Sequence, residues 1–408
     1  MSIRKRTWTA QSGPSEAWVV DYVDQQGKRR LKTFKRKKDA EAFEAKTRVQ
    51  IIEGVHVADS ASITVEDAAK DWIESCSDEL ERGTLKQYRE HVRLHIVPFI
   101  GRTKLSQVTV PFVAAFEDTL KNNGRSSAMI RAVRVSLGAL LSEAQSRGNI
   151  VRNAVRESRD TRSRRRRRQE RKKTGKTKLR VVGVDIPTTE EVRKLLAAAN
   201  GAFRPLLLTA VFTGLRSSEL RGLRWEDVDL KHNELHVSQR ADAFNEIGPP
   251  KSDAGKRTIP LAPGLVQALR EWRLQCPKNA DGQLGFVFPT RDGNIQAHAN
   301  IVTRQLIPLM LKANIVKPVL DENGIPKRDA DGKPVVTAKY SGLHCFRHFF
   351  ASWCINRKDD GGLELPAKVV QGRLGHASIQ MTLDVYGHLF PSGDDGAELA
   401  AGEKLLLG

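Results

Sequence analysis

The chain has 408 residues, with 68 Lys+Arg against 48 Asp+Glu, a formal net charge of +20 and 39% apolar residues. That length accommodates two or three domains with packed cores, and the basic excess points to a polyanionic partner, nucleic acid first. No apolar run approaches the ~20 residues of a spanning helix, residues 1–8 are charged without an apolar signal core, and the cysteines (Cys76, Cys276, Cys345, Cys354) form no C-x-x-C pair. A membrane span, a secretory leader, a zinc site and a disulfide framework are therefore not indicated, and a reducing cytoplasm is the expected setting.

Residues 7–36 read as a small sheet: Trp18, Val20 and Tyr22 alternate with Val19 and Asp21, and Gln25-Gln26-Gly27 supplies a turn into a basic return strand. A helix over 37–53 places Ala40, Phe43 and Ile51 inward. A basic ribbon of this kind fits the major groove; the plainer alternative is a small domain with a solvated basic face. After a linker at 54–63, Thr64-Val65-Glu66-Asp67 has capping-box spacing and starts a helix carrying Ala68, Ala69, Trp72 and Ile73. Further helices are predicted from Thr84, from Pro111 and over 126–146, making a small four-helix bundle.

Residues 159–180 break the composition: 13 of the 22 are Lys or Arg, with Arg164 to Arg168 unbroken, and two are acidic. Such a block repels itself and reads as a linker that either tracks DNA phosphates or merely solubilises.

Beyond it, Thr188 opens a helix, 203–212 is an apolar helix broken by Gly214, and Ser217 or Ser218 is the expected cap of the next. Arg216 sits at that turn, and Glu219, three residues on, is placed to hold its guanidinium rigid; a plain surface ion pair is the alternative. A strand over 234–238 precedes the turn Pro249-Pro250-Lys251-Ser252-Asp253-Ala254-Gly255-Lys256-Arg257. Helices follow at 263–275 and 297–313, with Phe286-Val287-Phe288 as a short strand between them. Two turn signals, at 321–324 and 329–332, mark an inserted hairpin.

Three strings carry chemistry. Residues 213–220 read Thr-Gly-Leu-Arg-Ser-Ser-Glu-Leu, and 343–348 read Leu-His-Cys-Phe-Arg-His. Residues 374–389 read Leu-Gly-His-Ala-Ser-Ile-Gln-Met-Thr-Leu-Asp-Val-Tyr-Gly-His-Leu. In this order and spacing, with the lysine turn between the first two, they resemble the tyrosine recombinase (phage integrase) family. The likeness runs from about residue 1 to 390 and is sharpest over 204–389.

The resemblance implies a multidomain, mainly α fold with small β-sheets (α+β). An arm-type DNA-binding domain (1–56, a three-stranded sheet plus helix) leads into a helical core-binding domain (62–156). A basic linker (157–183), a mixed, mostly helical catalytic domain (184–395) and a C-terminal tail (396–408) follow. It implies a site-specific recombinase of a phage or integrative mobile element, acting in the bacterial cytoplasm at the nucleoid. As a homotetramer on double-stranded core and arm-type attachment sites, it would cut and rejoin DNA through a 3′-phosphotyrosyl intermediate. A directionality factor or a host DNA-bending protein would be its accessory partners, and no cofactor, metal or ATP is expected.

By the same resemblance, Tyr386 is the nucleophile, and Arg216 and Arg347 grip the two non-bridging oxygens. Lys251 protonates the leaving 5′-oxygen, with Lys256 as the alternative. His344 takes the tyrosine's proton or touches the phosphate, and His376 hydrogen-bonds a non-bridging oxygen. Residue chemistry permits these roles: guanidinium forks are planar, permanently charged and bidentate, and two of them give the charge stabilisation a metal otherwise supplies. His348 lies one position round from His344 and Arg347 and reads as structural, and His388 is placed only in support of the tyrosine. The tail leucines (Leu399, Leu405, Leu406, Leu407) either dock on a neighbouring protomer or fold back. The rival readings are a type IB topoisomerase and a DNA-binding regulator that keeps the fold without cleavage.

Overall fold

The computed structural model describes residues 1–10, 13–24, 27–52, 62–158, 180–321, 324–391 and 395–407. It divides into two compact units, Met1–Gly175 and Lys176–Gly408. The run Arg164 to Arg168 lies outside the described residues. Among the described residues no helix is long and apolar enough to cross a membrane.

The first unit begins with an antiparallel three-stranded sheet, Ser2–Ala10, Gly13–Val23 and Arg29–Phe34, with the second strand central. Helix Lys37–Ile52 covers one face, where Ala40 packs with Val20 and Tyr22. Val19, expected outward, is also buried; it lies on the central strand, opposite Arg4 and Thr33.

A second core gathers Trp72, Ile96, Phe116, Leu137 and Leu140 from helices that include Val65–Ser75, Val110–Asn122 and Ser127–Ser146. Thr64 caps the first of these, its hydroxyl oxygen accepting from the Asp67 N–H at 3.2 Å. Helix Arg82–His91 runs on through a π segment, Val92–Ile96, into a final turn at Val97–Ile100. Pro98 explains the bulge: it has no N–H to donate, and its ring would meet the carbonyl of a regular helix one turn back.

The same device breaks the helix expected at 297–313. It consists of His298–Asn300, a π segment Ile301–Leu306, and Ile307–Lys312, where Pro308 stands in the first turn.

The second unit opens with a complete capping box, in which Thr188 and Glu191 satisfy each other's backbone N–H at the start of helix Thr189–Ala198. Helix Phe203–Thr213 is apolar on most sides and mostly buried. A small antiparallel sheet, Val228–Asp229, Glu234–Val237 and Arg257–Pro260, flanks helix Pro263–Gln275. The strand expected at Phe286–Phe288 is only a single bridge from Phe286 to Arg224. The insertion folds on a short stem, Val316–Pro318 paired with Val336–Ala338, with turns at Gly324 and Gly332. Helices His344–Ile355, Ala367–Leu374, Ile379–Tyr386 and Asp395–Leu407 complete the unit.

Candidate active site

Helix His344–Ile355 is anchored by Phe346 and Phe350, both almost fully buried, so Arg347 on the same helix is only 3% exposed. Buried arginines need acceptors. Arg347 donates from Nη1 to the Gly214 carbonyl at 2.8 Å and from Nη2 to the Leu374 carbonyl. Gly214 ends helix Phe203–Thr213 in the left-handed region at φ +62, and a Cβ there would sit 2.4 Å from the Phe350 ring. Only glycine lets these two helices meet so closely.

The C-terminus of helix Ala367–Leu374 organises the rest. A helix leaves its last carbonyls without internal partners, and its dipole makes that end negative. Three consecutive carbonyls here each take a guanidinium. Arg373 accepts from Arg257 Nε at 2.8 Å, Leu374 from Arg347, and Gly375 from Arg216 Nη2 at 3.1 Å. Gly375 has φ +63, and a Cβ would lie 2.8 Å from the Ala254 carbonyl and 2.9 Å from Arg257 Nη1.

Glu219 joins two of these arginines from the other side. Its Oε2 accepts from Arg257 Nη2 at 2.9 Å, and its Oε1 from Arg216 Nη1 at 2.8 Å. It also accepts the Arg216 backbone N–H at 2.9 Å, so Arg216 itself is the N-cap of helix Ser217–Gly222. The serine caps expected there are not used: Arg216 occupies the N-cap position, and the Ser217 hydroxyl lies 2.7 Å from His298 Nδ1 instead. Burial alone would raise the Glu219 carboxyl; Arg257, then Arg216, outweigh it and hold the group below the usual carboxylate range. Two N–H groups of Arg216 are spent on the protein, and its side chain is one-third exposed (33%), so donors remain for a ligand.

Tyr386 ends helix Ile379–Tyr386 and is 2% exposed, packed with Phe350, Cys354 and Leu374. Its hydroxyl lies 2.7 Å from His348 Nδ1. Burial pushes the phenol up to about 12, against the pull of Arg347 and Arg180. The His376 ring lies parallel to the Tyr386 ring, 6.5 Å between centroids and 4° between planes, with Nδ1 2.9 Å from the Thr382 hydroxyl. Burial, then the three guanidiniums, lowers His376 to about 4, so it is neutral. His344 is exposed, and its ring meets His348 edge-on at 4.6 Å. Desolvation, then Arg347, Arg180 and Arg216, pulls it below the ordinary imidazole value.

The structure thus brings Arg216, His344, Arg347, His376 and Tyr386 into one cluster from three separate strings. Lys251 does not join it. It is exposed before the turn Asp253–Gly255, as is Lys256 after it, and among the described residues no hydrogen bond links either to the cluster. The turn packs inward through the buried Gly255 and the Ala254 carbonyl, which faces Gly375, while both lysine side chains are left exposed.

Three members were not foreseen. His348, read as structural, is the group that touches the hydroxyl. Arg257 follows the turn and is buried to 6% side-chain exposure; its period-two alternation with buried Ile259 is the signal for it. Arg180, placed in the linker, stands near the tyrosine, and its carbonyl is 2.8 Å from His388 Nε2.

Residues 187–392 match the phage integrase family, and residues 64–120 match the phage integrase N-terminal SAM-like domain. A "Tyrosine recombinase XerC-like" protein of Caldanaerobacter subterraneus subsp. tengcongensis is 26% identical over 394 residues, 90% of each chain. The ICEBs1 integrase of Bacillus subtilis is 22% identical over 369 residues, 87% of each. Among solved structures, the Tn1549 transposon integrase in complex with transposon right-end DNA superposes with a TM-score of 0.60. It is 19% identical, with 84% of this chain and 100% of that one covered. A lambda integrase tetramer bound to a Holliday junction gives 0.53 at 17% identity, covering 95% and 96%. Those two likenesses show the fold; the family match spans half the chain and includes every member of the cluster from Arg216 to Tyr386. The chain belongs to the phage integrase family and is a tyrosine recombinase.

Proposed function

We propose that this chain is the integrase of a mobile element and that Tyr386 is its nucleophile on the DNA. The observation that carries the reading is the convergence of Arg216 and Arg347 on the carbonyls of Gly375 and Leu374, next to His376, with Arg347 within the electrostatic reach of the Tyr386 hydroxyl. A phosphodiester under attack gathers negative charge on its non-bridging oxygens, and guanidiniums held rigidly beforehand stabilise it without reorganising. Arg216 and Arg347 take those oxygens. His376 supports one of them: a Thr382 hydroxyl donating to Nδ1 leaves the ring proton on Nε2, the tautomer that donates to phosphate.

Tyr386 becomes linked to the 3′-phosphate, and the 5′-oxygen leaves with a proton from Lys251, carried in by its exposed turn once DNA is bound. His344, exposed beside the cluster, contacts the phosphate. Rejoining runs the same steps backwards, using the energy kept in the phosphotyrosyl bond. The helix Asp395–Leu407 exposes Leu399, Leu405, Leu406 and Leu407, which supports docking on a neighbouring protomer in a tetramer rather than folding back. The related integrases solved on DNA and as a junction-bound tetramer support the same partners.

The test is Tyr386→Phe on nicked duplexes that trap covalent product. The expected result is loss of protein–DNA adducts with DNA binding retained. Unchanged recombination would overturn the reading.

A further inference from the structure

We propose that His348 is the residue that takes the phenolic proton of Tyr386 as the nucleophile attacks. The inference rests on the reading of Tyr386 given above. Tyr386 is 2% exposed, so bulk water does not reach its hydroxyl directly. The hydroxyl's hydrogen-bond partner is His348 Nδ1 at 2.7 Å, within the reach proton transfer requires. His344, the histidine the motif singles out, meets the His348 ring instead of the hydroxyl.

The position of His348 gives the proton an exit. The residue is buried, yet it lines a cleft of about 550 Å³ whose walls include Arg180, Asp185, Ser217, His298 and His344. It therefore stands between a sealed phenol and solvent. Lys317 and Lys339 line the same cleft, and among the described residues the nearer groups are these. His344 and Arg347 come from its own helix, Arg180 and Asp185 from the segment that enters the unit, and Tyr386 from the facing helix. Burial, then His344 and the two arginines, lowers its ring to about 3, so it rests neutral and Nδ1 is free to accept the hydroxyl proton. A ring held so far down does not strip the phenol beforehand. It accepts the proton only as the phosphate's negative charge enters the cluster and offsets the neighbouring cations.

The step balances. The Tyr386 O–H bond breaks, its proton passes to His348 Nδ1, and its electron pair forms the bond to phosphorus. The phosphorus–5′-oxygen bond breaks with its pair on the leaving oxygen, which takes a proton from a separate donor.

The experiment uses full-length protein and nicked duplexes built from the end of the element that carries this gene. One has the ordinary 5′-oxygen at the scissile bond, the other a bridging 5′-sulfur, whose thiolate leaves without a proton. His348→Ala is expected to slow adduct formation by about a hundredfold on both duplexes. Its rate should climb with pH towards the phenol's own ionisation, where the wild-type profile is flatter. His348→Asn keeps an acceptor that cannot hold a proton; it should retain the fold and the steep pH profile, and it serves if the alanine variant does not fold. Wild-type rates for both variants on the sulfur duplex would overturn the assignment. So would slowed rates with an unchanged pH profile, which would leave His348 a packing role alone. Tyr386→Phe run alongside separates the two readings: adducts from that variant would sink the nucleophile itself, whereas their absence leaves the His348 result to stand or fall alone.

Discussion

The carbonyl oxygen of Gly375 receives Arg216 Nη2 at 3.1 Å across 159 residues of sequence, and it can do so because residue 375 has no side chain. At φ +63 an alanine is strained, and its methyl group would collide with the Ala254 carbonyl and with Arg257. Gly375→Ala is therefore expected to displace both arginines. Adduct formation should fall at least about tenfold, and stability by about 1–2 kcal/mol or more; urea unfolding and trapped-adduct assays check the two effects separately.

Glu219 and Arg216 should come apart on mutation. The Glu219 side chain is 2% exposed between two guanidiniums, and removing one member of a buried ion cluster costs about 3–5 kcal/mol. Arg216 is one-third exposed and spends only part of its fork on the protein. Glu219→Ala should lose both stability and cleavage. Arg216→Lys should lose at least about a hundredfold in cleavage while its melting temperature moves by only about 2 °C, since a lysine cannot grip an oxygen and two partners at once. Equal melting shifts for the two variants would contradict the geometry.

Acid should weaken the fold through its neutral histidines. His376 sits at about 4 and His348 at about 3, both below the ordinary imidazole value, and burial is the leading cause in each. Between that ordinary value, about 6.5, and pH 4, the unfolded chain binds protons that the folded chain refuses, so stability is full above this window and falls as the pH drops through it. Glu219, held low, adds loss in the same direction at still lower pH. The urea midpoint should drop between pH 7 and pH 4.5, and His376→Asn should flatten the drop. A midpoint that rises over this range would mean that the rings are charged in the folded state.

Lys251 and Lys256 flank one turn, and both are exposed, so chemistry must separate them. Lys251→Ala is expected to abolish cleavage of an ordinary duplex and to recover on one with a 5′-sulfur leaving group. Lys256→Ala should remain within about threefold of wild type, the scatter of a lost surface phosphate contact. The reverse pattern would move the proton donor to Lys256.

Local chemistry was legible in the chain. The capping signals at Thr64 and Thr188, the break at Gly214, the basic sheet and the helices over 126–146 and 263–275 depend on neighbours within a few residues, and each stands where it was expected. The serine cap at 217 or 218 did not, because Arg216 holds the N-cap position, and the segment at Phe286 pairs with the distant Arg224 through a single bridge only.

The sequence by itself determined which chemical groups are available and in what order: two arginines, two histidines and a tyrosine in three strings that mark the family. The tertiary structure alone decided what holds them. Arg216, Arg257 and Arg347 each donate to a carbonyl that lies 159, 116 and 133 residues away, respectively, and the hydroxyl of Tyr386 meets a histidine 38 residues back. Such contacts follow from how helices close over one another, and helical periodicity within any one segment carries no record of them. The same reason left His348 looking structural, although the fold sets it against the nucleophile.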